Sequence, residues 1–275
     1  MEIGATLHHL CLHSGDPDAC ARFYARTYAM TLRVDGEHRI CTGPGRRLVF
    51  ARGASNELGY AAFAFPSAAA LASYRAAIGG AVDLKPSPSP LFDAGAFMAV
   101  DPDGNRIVFG AAAASNAADE AGLPEARLQH LAVRSADAAR LRGFYRDALK
   151  FVVSDSVHDD ARQLKACFLR TDREHHALAV FQADGRRHDH LSFETRDWAA
   201  MREWADRITS GGAPIVWGIG RHGPGNDTFF MVRDPDGNLA EISAELEVCD
   251  PARPEGEWRH EPRTLNLWGS AIMRS

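Results

Sequence analysis

LQHLAVRS (128–135) repeats LHHLCLHS (7–14) near the start of the chain, with His130 falling on His9. The phase holds without gaps through the next segment. Phe144-Tyr145 falls on Phe23-Tyr24, each Phe fourteen residues after its His. Further on, VRDPDGNLAEIS (232–243) matches AVDPDGNRIVFG (99–110), with Asp234 on Asp101. Two landmarks in the same order in both halves make the chain a duplication, and a repeat decides the architecture before any single element is read. The reading is two tandem domains of ordinary size, 1–112 and 125–248. AAAASNAADEAGLPEA (111–126), small and polar, reads as the linker between them. Residues 249–275 match nothing in the first half and form a separate tail.

Each half mixes strands and helices. LQHLAVR alternates as a strand does. Ser135 reads as the N-cap of the helix that follows. On that helix Leu141, Phe144, Tyr145 and Ala148 lie at i, i+3, i+4 and i+7, one apolar face. Second helices are expected at 67–78 and 197–209. The two DPDG sequences read as tight turns into a final strand. The fold class is therefore α+β: two domains built of βαβββ modules, each a curled mixed sheet round a cleft.

Composition narrows the function. The 275 residues are 45% hydrophobic and 24% charged, the balance of a globular protein. Thirty-one Lys and Arg against 36 Asp and Glu leave a net charge of −5, with no long basic run. Nucleic acid and anionic membranes are thereby poor partners. No apolar run is long enough to span a bilayer, and MEIGATLHHL lacks the features of a secretion signal. Five scattered cysteines without CxxC spacing argue against a disulfide framework or a thiolate zinc site, and fit a cytoplasmic protein.

Residues two apart on a strand share a face. Leu128, His130 and Ala132 share one. In HDHLSFE (188–194), His188, His190, Ser192 and Glu194 share another. In NLAEISA (238–244), Glu241 lies between Leu239 and Ser243, opposite the apolar Ala240, Ile242 and Ala244. A carboxylate facing inward there is costly unless it is paired or bound to metal. Taken singly, Glu241 reads as a water-facing glutamate, and His130 or His190 as a hydrogen-bonded structural histidine. Taken together, two neutral nitrogens and one anionic oxygen are the facial set that holds Fe(II) in non-haem oxygen-activating enzymes, with positions left open. The first half has no such set. Val108 stands where Glu241 does, each six residues after the Pro of its DPDG, and Tyr60 stands nearest to the place of His190.

Three blocks carry a family resemblance: GRHGPGNDTFFMVRDPDGNLAEIS (220–243), DREHHALAVF (172–181) followed by HDHLSFE, and LQHLAVRS. In that order and spacing the chain resembles the vicinal oxygen chelate superfamily, and within it the two-domain extradiol (catechol meta-cleaving) dioxygenases of aromatic catabolism. The resemblance covers nearly the whole chain. It implies that His130, His190 and Glu241 ligate Fe(II), with Mn(II) suited to the same donors. It implies a catechol-type substrate with O2, a homo-oligomer, and a first domain that serves as scaffold. It also implies two further catalytic histidines. One is His176, fourteen residues before His190 in His176-Ala177-Leu178-Ala179, for which its neighbour His175 would substitute after a register error of one. The other is His222, in GRHG. His176 would act as acid and base, and His222 would hydrogen-bond the substrate from the other side.

Candidate substrate contacts are Met231, Asn226, Arg263 and Trp268. Asn226 and Asp227 would orient His222 or, more simply, end a turn. The tail would bring Arg263 or Trp268 over the pocket mouth, or else pack on the surface or against another subunit. Met231 is a departure. Ring-cleaving relatives carry a Tyr ten residues before the Glu ligand, and no Tyr follows 145 in this chain. A thioether donates no hydrogen bond. Two rivals belong to the same superfamily: a non-redox metal-dependent lyase or isomerase of the glyoxalase type, which needs a further protein ligand, and a small-molecule-sequestering resistance protein, which needs no metal triad.

Overall fold

The computed structural model describes residues 2–112 and 124–273. Most of the expected linker, 113–123, lies outside the described residues. The first half runs β1 (Thr6–Ser14), α1 (Pro17–Thr27), β2 (Thr31–Asp35), β3 (His38–Gly43) and β4 (Arg46–Arg52), then β5 (Leu58–Phe65), α2 (Ala68–Ile78), β6 (Lys85–Pro86), β7 (Phe97–Val100) and β8 (Arg106–Ala111). This is βαβββ twice. The second half repeats it as β9 (Ala126–Ser135), α3 (Ala138–Asp147), β10 (Val152–His158), β11 (Leu164–Arg170) and β12 (Leu178–Gln182), then β13 (Arg187–Thr195), α4 (Trp198–Ser210), β14 (Ile215–Arg221), β15 (Thr228–Arg233) and β16 (Leu239–Ala244). The tail adds β17 (Gly256–Arg259) and the single turn α5 (Pro262–Leu265).

Each half forms one mixed sheet. The strand orders are β2-β3-β4-β1-β5-β8-β7-β6 and β14-β15-β16-β13-β9-β12-β11-β10-β17. In both, the two βαβββ units join through an antiparallel pair, β1 with β5 and β9 with β13. The α+β class with tandem modules is thus observed. The helices start on short polar caps: Asp16, Ser67, Asp137 and Asp197 each accept from a backbone N–H three residues on. For α3 the cap is Asp137, not Ser135. The Ser135 hydroxyl sits two residues earlier and accepts from the Asp137 N–H, so it shapes the turn that presents the cap.

One hydrophobic core is shared by both halves, including Tyr28, Phe50, Phe63 and Phe109 from the first and Leu131, Phe193, Trp204 and Ile242 from the second. The halves are also tied crosswise. The Tyr24 hydroxyl donates to Asp234 of the second DPDG turn at 3.2 Å, and its repeat mate Tyr145 donates to Asp101 of the first at 2.8 Å. Asp101 and Asp234 accept from the backbone N–H groups of Asn105 and Asn238. Gly104 and Gly237 take φ of +86° and +84°, which only glycine adopts without cost. The remaining face of each sheet lines its own cleft.

In the first half that cleft is filled. Cys11, Ile40, Val49, Tyr60, Ala62 and Val108 form an apolar cluster with Phe92 and Met98 packed on it. His9 lies beside Phe92 and meets the Ser89 hydroxyl at 2.7 Å.

Candidate metal centre

A single row of paired residues crosses the second sheet: His130 on β9 faces Ser192 on β13, Ser192 faces Glu241 on β16, Glu241 faces Met231 on β15, and Met231 faces Trp217 on β14. The corresponding row in the first sheet reads His9, Ala62, Val108, Met98, Lys85. The carboxylate and its hydroxyl partner are replaced there by Val108 and Ala62, and among the described residues no metal-binding group forms on that row. His190 lies two residues from Ser192 on β13, beside Ala132 and Leu239.

The structure brings His130, His190 and Glu241 together, one ligand atom from each within 4.8 Å of the others and all three residues buried. His130 Nε2 lies 3.2 Å from His190 Nε2 and 3.6 Å from Glu241 Oε1. Both rings are oriented from behind. His130 Nδ1 meets the Gln129 side-chain oxygen Oε1 at 2.6 Å, and His190 Nδ1 meets Asp189 Oδ1 at 2.7 Å. Those partners only accept, so each ring carries its proton on Nδ1 and turns an Nε2 lone pair inward. The Gln129 amide is itself fixed by donating to the His176 carbonyl, and Asp189 Oδ2 accepts from Arg134 Nε at 2.6 Å.

Two inward lone pairs 3.2 Å apart beside a buried carboxylate are mutually repulsive without a cation between them. Burial pushes the His130 pKa down to about 3, so its ring is neutral at neutral pH. Glu241 is fully buried. Its Oε1 accepts from the Ser192 hydroxyl at 2.8 Å, while among the described residues Oε2 has no hydrogen-bond partner. Burial alone would raise its carboxyl, but the facing His222 and the surrounding imidazoles outweigh burial and hold it at about 2. Two nitrogens, one charged oxygen and an orphan oxygen fit a divalent ion of the kind imidazole and carboxylate hold.

A pocket partly open to solvent adjoins these atoms. His130, His176, His190 and His222 supply its polar atoms, and Phe168, Phe181, Trp217 and Leu265 its apolar walls. His176 precedes β12, fully buried, its ring centroid 4.4 Å from that of His130. Burial first, then the neighbouring imidazoles, hold it well below the ordinary histidine value and hence neutral. His175 turns the other way, 3.0 Å from Asp155. His222 stacks flat on Phe229 at 3.8 Å, and its Nδ1 donates to the Leu265 carbonyl at 2.6 Å. Its Nε2 stands 3.7 Å from Glu241 Oε2. Burial opposes its protonation, but the facing Glu241 and Asp227 raise its pKa nonetheless.

The other sequence candidates lie elsewhere. Asn226 is exposed, with φ of +55°, at the turn before β15. Arg263 is exposed and outside the pocket lining. Trp268 is 53% exposed, against Trp198 and under Arg221. The tail does reach the pocket, but through Thr264 and Leu265, because α5 turns its apolar residue inward and its charged one to solvent. Met231 is fully buried in the cluster beneath the pocket, with Trp217, Phe229 and Leu239. Gln129 and Asp189 escaped the sequence reading because strand alternation sets them opposite their histidines. Asp189 reaches His190 from a bulge: β9 pairs Val133 with His188 and Ala132 with His190, leaving Asp189 over.

Residues 127–242 match the family model of the Glyoxalase/Bleomycin resistance protein/Dioxygenase superfamily. Metapyrocatechase 2 of Cupriavidus necator is 30% identical over 148 residues, 53% of this chain and 45% of that protein, so the match spans less than half of the relative's length. Homoprotocatechuate 2,3-dioxygenase of Arthrobacter globiformis superposes with a TM-score of 0.82 at 20% identity, over 98% of this chain and 88% of that one. The Mn(II)-bound glyoxalase of Novosphingobium aromaticivorans superposes at 0.78 and 23% identity, over 99% and 92%. At these identities the two structures establish the shared fold.

Proposed function

We propose that this chain, a member of the vicinal oxygen chelate superfamily through its second half, is an extradiol ring-cleaving dioxygenase acting on a substituted catechol. The observation that carries the reading is the converging set His130, His190 and Glu241, with an orphan carboxylate oxygen and two lone pairs turned to one point beside two further imidazoles. The metal we assign is Fe(II), with Mn(II) admitted by the same donors.

Held by His130, His190 and Glu241, a bound Fe(II) would supply a common site for catechol and dioxygen and a path for electron density between them. Both oxygen atoms enter the product, so no external reductant is needed. The chain's own residues do the rest. Phe168, Phe181 and Trp217 receive the ring and exclude water. His176, kept neutral by burial, takes a proton from a catechol hydroxyl and later returns it. His222, fixed by the Leu265 carbonyl, hydrogen-bonds from the opposite wall. Met231 offers no donor, and its repeat mate Met98 occupies the same place in a half with no carboxylate ligand. That favours a packing role and a pocket suited to a bulkier or more electron-rich ring. The five cysteines are free and buried, and we place the protein in a reducing compartment. Among the described residues no helix is long and apolar enough to cross a membrane.

The experiment is anaerobic loading with Fe(II), then addition of catechols and air. Oxygen uptake with a new visible absorbance supports ring cleavage, and elemental analysis should give about one metal per chain, lost in Glu241→Ala and His190→Ala. Hemimercaptal turnover without oxygen uptake would assign the glyoxalase-type reading instead. Two metals per chain would overturn the single-centre assignment.

A further inference from the structure

We infer that the pocket selects catechols whose ring substituent is uncharged and apolar, and that Leu265 of the tail is the residue that sets this preference. This rests on the catechol reading above and adds to it the chemistry of the rest of the substrate. Among the described residues the pocket lining contains no Lys, Arg, Asp or Glu. Apart from Trp217 and Thr264, its polar side-chain atoms belong to the four imidazoles. Those gather at one end. His130 Nε2 and His190 Nε2 are 3.2 Å apart, the His176 ring centroid is 4.4 Å from that of His130, and His222 Nε2 stands 3.7 Å from Glu241 Oε2. Two adjacent hydroxyls find their partners there.

The rest of the lining presents carbon. Phe168, Ala179, Phe181, Trp217 and Leu265 belong to one buried apolar cluster. The two polar atoms on these walls are committed to the backbone of the tail. The Trp217 indole N–H donates to the Ser270 carbonyl at 2.8 Å, and the Thr264 hydroxyl donates to the Arg259 carbonyl at 2.5 Å. The guanidinium groups around the site serve acceptors elsewhere. Arg134 holds Asp189 behind His190, Arg221 holds Glu245 and the Asn226 carbonyl, and Arg259 holds Asp160. Arg263 is exposed and outside the lining.

A carboxylate carried in on the ring would therefore leave water without meeting a cation. Burying a charge with no partner is strongly disfavoured, whereas an alkyl or aryl group gains from the same walls. Leu265 stands where the two ends meet. Its carbonyl accepts from His222 Nδ1 at 2.6 Å, which ties its backbone to the polar end. Its side chain, 7% exposed, belongs to the apolar one. The side chain can thus be exchanged without removing the carbonyl that holds His222.

The test compares two probes that differ chiefly in charge. 3,4-Dihydroxyphenylacetate and its methyl ester are titrated calorimetrically into the full-length protein loaded with Zn(II), a redox-inert ion for the same donors. The ester, and 4-ethylcatechol beside it, should bind about 10²-fold tighter than the acid. Leu265→Arg, which brings a guanidinium to the wall, should narrow that gap by roughly 10-fold or more. In the Fe(II) protein, kcat/KM from oxygen uptake should follow the same order. Acid bound as tightly as ester by the parent overturns the inference, and recovery of the ester preference in Arg263→Ala would then assign the overlooked cation to Arg263. A gap unchanged in Leu265→Arg, with the parent's circular dichroism, overturns the role of Leu265. The parent's ratio needs no variant to fold. If the Fe(II) protein takes up no oxygen with any catechol while the ester still binds over the acid, ring cleavage fails and the selectivity stands. If neither probe binds, both readings fail.

Discussion

Asp189 stands behind His190, and replacing it with Asn separates what orients the ligand from what charges it. Asp189 has two acceptor oxygens, each in use: Oδ1 holds His190 Nδ1 at 2.7 Å and Oδ2 holds Arg134 Nε at 2.6 Å. Asparagine keeps one acceptor and replaces the other with a donor. The Asp189 side chain is 0% exposed and Arg134 is 17% exposed, so Arg134 is the partner able to turn to water. The amide oxygen therefore stays on His190 and the tautomer survives. What is lost is the negative charge that strengthens the ring as a donor. Removing such a partner weakens metal binding by about 10- to 100-fold, or roughly 1.4 to 2.7 kcal/mol. With orientation kept, the expected loss is at the lower end, about 10-fold. Arg134→Met is the counterpart. It removes the Arg134 cation from beside buried Asp189, which should lower the melting temperature yet leave metal affinity equal or tighter. The assay is anaerobic competition for Mn(II) against a chromophoric chelator, beside thermal melts. If Asp189→Asn binds metal as the parent does, or Arg134→Met loses more affinity than Asp189→Asn, the charge argument is wrong.

Other outcomes follow from the same geometry. His176→Ala should retain its metal and lose roughly 10²-fold or more in turnover, since the ligands do not depend on its ring; loss of metal in this variant would contradict the role. Met231→Tyr, buried beneath the pocket, should cost about 1–3 kcal/mol of stability by crowding Trp217 and Phe229 and leave turnover on unsubstituted catechol unchanged; a gain in turnover would refute the packing role. Burial raises the Asp172 carboxyl from 3.8 to about 6. A raised carboxyl stabilises the fold fully below its unfolded value, and that contribution is lost as pH rises through about 6. Asp172→Asn should therefore flatten the fall in melting temperature between pH 4 and pH 6, and a profile parallel to the parent's would refute this.

The repeat and strand alternation were enough to place His130 and Glu241 on one face, because the row through Ser192 keeps its pairing on both sides. The same rule misjudged Asp189, since a bulge is a property of two strands and only one of them holds the extra residue. Helix starts were legible to within two residues. Ser135 and Asp137 are both capping types, and which one caps α3 depends on the turn, not on composition. The tail defied reading for a different reason. It has no period, so Arg263 and Trp268 drew attention by chemistry while Leu265, one apolar residue among polar ones, enters the pocket. Asp155 is 20 residues before His175 and looks like any strand-borne aspartate until the tail folds back onto it.

The crosswise bonds from Tyr24 to Asp234 and from Tyr145 to Asp101 bear on the chain's ancestry. A single half paired with a copy of itself about a two-fold axis would make both at once, residue i meeting j and j meeting i. The arrangement is the one that a two-fold homodimer of a single half would have. The two copies differ in chemistry, Val108 standing in the first where Glu241 stands in the second. They are not free of each other, because each half still satisfies a buried aspartate in its sister. A fragment carrying only the ligands would uncover both the Asp234 turn and the Tyr145 hydroxyl. Selection on the barren half thus acts through the fertile one, and its Asp101 and Tyr24 should drift as slowly as the metal ligands themselves.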